Sequence, residues 1–125
     1  MLNVVVVEGV LARPSQLVEL PSGTRLLALE VTVRRPDGPA ETIPVSWLGA
    51  PAWGEDLDVG EFVVVAGRVR RRFFRSGGTT QSRTEVAAAS VARSSSRDKR
   101  AALVAEAINS LTTVVGDSAP TGTRL

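Results

Sequence analysis

The stretch TRLLALEVTV, residues 24–33, alternates apolar and polar side chains with a period of two. Leu27, Leu29, Val31 and Val33 fall on one side, and Glu30, Thr32 and Arg34 on the other. That period belongs to a strand with one buried face; a helix would repeat its apolar positions every three to four residues. Four further runs read as strands: NVVVVEGVLA from Asn3, TIPVSWLG from Thr42, EFVVVAGRVRRRFF from Glu61 and RTEVAAASV from Arg83. Gly9 inside the first run predicts a bulge or sharp bend. Pro14 breaks regular pairing after it, and Pro44 makes the third run an edge or bulged strand. LPSGT, the Asp37-Gly38 pair and RSGGTTQS supply the turns. APAWGEDLDVG, residues 50–60, is an acidic connector with room for one helical turn.

Five short strands, a bent first one and no long helix between them predict an all-β fold, a five-stranded OB-fold barrel over residues 1–93. A split barrel of another type fits the same count. Residues 94–125 read as a basic linker, a short additional C-terminal helix and a frayed tail. In that helix Val104, Ile108, Leu111 and Val115 recur at helical spacing, with Asp98 as N-cap.

The residue inventory narrows the chemistry. Among 125 residues there is no cysteine, no histidine and no tyrosine. Disulfides and thiolate metal sites are excluded, and a zinc site would need carboxylates alone. General acid–base catalysis near neutral pH loses its usual side chain. No glycine-rich phosphate loop ends in Lys-Ser or Lys-Thr, and the one lysine, Lys99, lies in the linker. Asp56 and Asp58 read as a solvated turn rather than a Mg²⁺ site. No enzyme, cofactor, metal or small-molecule substrate is expected. No apolar run is long enough to cross a bilayer, and MLNVVVVEGVL lacks the basic start of a secretory signal. A cytoplasmic, nucleoid-associated location is the expectation.

Charge is segregated along the chain. Residues 1–66 carry four arginines and nine acids, whereas residues 67–100 carry nine arginines and a lysine against Glu85 and Asp98. Such a stretch suits a polyanion partner, though a solvated strand face with a basic linker gives the same pattern. Within GRVRRRFFRSGG, alternation puts Arg68, Arg70 and Arg72 on one face, free to meet phosphates if the valines face the core. Phe74 shares their parity and is the candidate base platform; Phe73 shares parity with Val65 and Val69 and is expected inside. Arg75 stands at the hairpin tip. Arg34 and Arg35 form a second basic spot beside the next loop. Trp47 is counted among the binding-face candidates, although its parity with Val45 also fits the core, and Trp53 fits a cap on the open barrel end better than a base platform. Arginines that hold phosphates beside rings that stack bases make a groove for single-stranded nucleic acid.

In order, NVVVVEGVLARP, LPSGT with LLALEVTV, VGEFVVVAGRVRRRFF and RTEVAAASV resemble the bacterial single-stranded DNA-binding protein family over about Asn3 to Val91, its short actinobacterial members most of all. The resemblance implies an OB-fold that coats single-stranded DNA without sequence preference in replication, repair or recombination, usually as a homo-oligomer, a tetramer before a dimer. Phe74 matches a base-stacking position of the family. Pro36 with Asp37, Thr42 and Leu48 stand where other aromatics are usual, with Trp47 adjacent to the last. The family's helix between its third and fourth strands is shortened here. An acidic, phenylalanine-tipped tail is not in the sequence, so recruitment of repair enzymes through one is not expected. The competing reading is an OB protein-interaction module, similar to primosomal replication protein B, with weak DNA binding.

Overall fold

A strand that serves two neighbours must pass from one to the other, and β1 (Val5–Leu11) does so next to Gly9. Val5 to Val10 pair antiparallel with Gly67 to Phe62 of β5 (Phe62–Ser76). Val10 and Leu11 then also pair with Thr32 and Val31 of β3 (Arg25–Arg35). A Cβ on Gly9 would lie 2.2 Å from the Thr32 carbonyl oxygen, so only glycine lets the two backbones approach this closely. The structure, a computed structural model, describes residues 2–93 and 100–109.

The remaining elements are β2 (Gln16–Glu19), β4 (Gly38–Leu48), a 3₁₀ turn (Ala52–Asp56), β6 (Thr79–Arg93) and a helix over residues 100–109, here α1. The sheet runs β1-β5-β6-β4-β3 and closes through the β1–β3 pairing. One junction is parallel, Val45 and Ser46 of β4 beside Val86 and Ala87 of β6. This is the closed five-stranded OB barrel with a C-terminal helix that the alternation pattern predicts. β2 was expected to be irregular chain after Pro14. It instead re-forms pairing, Gln16 to Glu19 against Ala28 to Arg25, and so continues the line of β1 along the same edge of β3.

Two hairpins are longer than the turn signals suggest. β3 and β4 extend to a turn at Pro36 and Asp37, and Gly38 already belongs to β4. The expected Asp37-Gly38 turn would use a left-handed backbone, and Gly38 is not in that region. β5 and β6 meet at Gly77-Gly78, with φ of 61° and 81°, the left-handed pair that a two-residue hairpin needs.

Leu27, Leu29, Val31, Val45, Val63 and Val65 fill the barrel interior at 2% exposure or less. Val64 and Ala66 are equally buried, yet alternation turns them outward. They share that face with Phe62, whose ring lies 4.2 Å under the Arg100 guanidinium of α1. The half-buried stripe of α1 is Arg100, Leu103, Val104 and Ala107. Of the predicted stripe, Val104 lies on it and Ile108 is 50% exposed. Leu111, Val115 and Asp98 lie outside the described residues. Among the described residues no helix is long and apolar enough to cross a membrane.

Candidate functional site

β5 and β6 are fifteen residues each, longer than the barrel can pair. From Arg71 to Thr84 every residue is exposed. At about 3.4 Å per residue the hairpin stands roughly 20 Å clear of the barrel as a two-stranded arm. Between Arg68 and Glu85 the chain carries six arginines and a single acid. The arm is therefore a strongly positive projection.

Where the arm leaves the barrel, its outer face borders a cleft of about 650 Å³. Leu20, Leu26 and Leu48 give it an aliphatic lining, and Arg68, Arg70 and Arg72 line it from β5. These residues meet because β5, β6, β4 and β3 lie side by side: Arg68 pairs with Ala87, Ala87 with Ser46, and Ser46 with Ala28. The cleft is thus the outer surface of one continuous sheet.

Arg70 is not a free cation. Its Nη2 donates to Glu85 Oε2 at 2.5 Å and to Ser46 Oγ at 2.9 Å, and its Nε donates to the same carboxylate oxygen at 3.2 Å. Ser46 Oγ donates to Glu85 at 2.9 Å. Glu85 is 4% exposed, and the network ties β4, β5 and β6 together. Burial alone would raise its pKa. The hydrogen bonds from Arg70 and Ser46, with the charges of Arg70 and Arg72, outweigh burial and hold the carboxyl below its ordinary value. Arg72 stands farther off, 3.9 Å from Glu85 Oε1, an ion pair beyond hydrogen-bond distance.

The other predicted residues divide. Arg68 is exposed and has no acidic partner among the described residues. Arg75 reaches the Gly78 carbonyl at the tip, 3.4 Å away. Phe74 is 38% exposed on the arginine face. Arg34 is exposed near the end of β3, whereas Arg35 is engaged by Glu41 at 3.1 Å and Asp37 at 3.8 Å. The bases of the two hairpins share a cleft of about 350 Å³ that includes Ile43 and Val69.

Two expectations are corrected. Trp47 is 6% exposed, facing the core with Val45, its ring 5.4 Å from that of Trp53 in an edge-to-face pair. It stabilises the barrel and offers no surface to a base. Phe73 was expected inside by parity with Val65 and is instead 67% exposed. Past Val69 the hairpin has left the barrel, so the inward parity no longer points at a core. The arm thus carries one ring on each face.

Glu85 and Ser46 were not anticipated. The signal was present in TEVAAAS, where a lone acid stands among small residues on the strand returning past four arginines. Among the described residues no cluster of carboxylates could hold a metal ion. Compared with known protein families and with curated proteins, the chain matches none.

Proposed function

We propose that this protein binds single-stranded DNA without sequence preference, protecting it in replication, repair or recombination, as the resemblance to the bacterial single-stranded DNA-binding family implies. The observation that carries the reading is the exposed Phe74 ring on the same face as Arg68 and Arg72, beside an aliphatic cleft. Phosphates would lie along Arg68 and Arg72 and reach Arg75 around the hairpin tip, with Arg34 and Arg35 on the neighbouring hairpin. One base would stack on Phe74, an interaction worth about 1–3 kcal/mol. Arg70 would act from a fixed position, because Glu85 and Ser46 hold it.

A homo-oligomer, tetramer before dimer, and a cytoplasmic, nucleoid-associated setting belong to the same proposal. Among the described residues, β1 pairs with β5 along its length but with β3 only at Val10 and Leu11, which leaves Val5 to Gly9 with one free edge. Such an edge is open to a partner strand.

The test is anisotropy of a fluorescein-labelled oligo-dT across a salt series. Micromolar or tighter binding that weakens steeply with salt is expected. No complex at low salt would remove the proposal and favour the OB protein-interaction reading, for which the exposed Phe73 and Leu48 are the supporting surface.

A further inference from the structure

Arg72 and Arg83 are direct partners across the β5–β6 ladder, two residues beyond Arg70 and Glu85 and so on the same face. Side chains so placed have Cβ atoms roughly 5 Å apart, and two like charges there repel. Arg83 has no partner among the described residues, and Arg72 lies beyond hydrogen-bond distance of Glu85. Both line a second, smaller cleft of about 200 Å³ on the β3–β4 side of the arm. Arg13, from the chain between β1 and β2, lines the same cleft.

The acids in this cleft are already occupied. Glu30 accepts from Arg13 Nη1 at 2.9 Å, which leaves the other donors of that guanidinium unspent. Glu85 is held by Arg70 and Ser46. Counting Arg70, four guanidinium groups face two carboxylates, an excess of two positive charges. Guanidinium groups converging with unspent donors match the fixed geometry of phosphate oxygens.

We infer that Arg13, Arg72 and Arg83 form a phosphate-binding pocket, in which a phosphate relieves the repulsion between Arg72 and Arg83. The ligand chemistry is a phosphate group. On the reading above, which this inference deepens, its source is the backbone of a strand that passes from the arm onto the β3–β4 face. A free nucleotide or pyrophosphate presents the same chemistry.

The experiment uses the full chain and three variants: Arg83→Gln, Arg13→Gln and, as a charge-matched control on the other face of the arm, Arg71→Gln. Oligo-dT anisotropy is measured across salt, and pyrophosphate binding is followed by ³¹P line broadening. Arg83→Gln and Arg13→Gln should each weaken oligo-dT about 3- to 10-fold and lower the salt slope by about 0.7, with Arg71→Gln losing less. Equal losses in all three overturn the pocket but leave single-strand binding standing. If the unaltered protein binds no oligo-dT, that broader reading falls. The pocket then stands only if pyrophosphate broadens with the unaltered protein and not with Arg83→Gln; sharp lines in both overturn it as well.

Discussion

The carboxamide of Asn3 bonds both backbone groups of Val69, its Nδ2 donating to the carbonyl at 2.7 Å and its Oδ1 accepting from the amide at 2.9 Å. A side chain here takes the place of a strand residue. It continues the β1–β5 ladder past its last pair, Val5 with Gly67, to the point where the arm departs.

Asn3→Ala should free the arm at its root. Both bonds are exposed, so the loss of global stability should stay near 1 kcal/mol. Hydrogen exchange is the sharper readout: the Val69 amide should exchange faster while Val64 is unchanged. Equal acceleration at both would mean that Asn3 supports the whole barrel.

Gly67→Ala should be far more damaging. Its Cβ would lie 2.1 Å from the Ala87 carbonyl oxygen, at the bulge where Ala66 pairs with Ser90 and Gly67 with Ala88. Backbone on both sides must move, so a loss above about 2 kcal/mol is expected in urea denaturation. A loss under about 0.5 kcal/mol would show that the bulge can absorb a methyl group.

Glu85 predicts an acid-sensitive fold. Its folded pKa lies below the ordinary 4.5, so protonation favours the unfolded chain. The stability it contributes is complete above about pH 4.5 and fades as pH falls through the lower folded value. Glu85→Gln should cost about 1–3 kcal/mol at neutral pH and flatten the fall in stability below about pH 4.5. An unchanged slope would assign acid unfolding to other carboxylates.

The two kinds of aromatic should separate cleanly. Phe74→Ala should weaken oligo-dT binding by about 1–3 kcal/mol and leave the melting temperature nearly unchanged. Trp47→Ala should do the reverse, lowering stability by about 3–5 kcal/mol through the cavity it leaves. Affinity unaffected by Phe74→Ala would remove the ring from the interface.

The barrel was legible because its determinants are local. Leu27, Leu29 and Val31 declare a half-buried strand, and Gly77-Gly78 declares a turn. β2 was obscured by Pro14, because a proline signals the break in pairing but not its resumption two residues later, at Gln16. Val64 and Ala66 defeat the alternation rule because their outward face, the one that carries Phe62, is buried too. Phe73 defeats it for the opposite reason, since the strand there has outrun the core.

The basic character of the site was equally plain, but its wiring was not. Sequence shows that Arg70 and Glu85 exist, while only the ladder register places them opposite each other and brings Ser46 within reach. Trp47 shows the same gap: parity with Val45 was visible, and which face of β4 meets the interior was not.

The distance along the chain from Gly67 to the two rings has a consequence of its own. Removing Arg71 would transpose the rings, sending Phe74 to the face opposite the cleft and Phe73 to the cleft face, with Arg75 crossing over as well. Nothing solvent-surrounded in that segment would object sterically. If the cleft-side ring stacks a base as proposed, an indel there would abolish stacking in a chain that still folds.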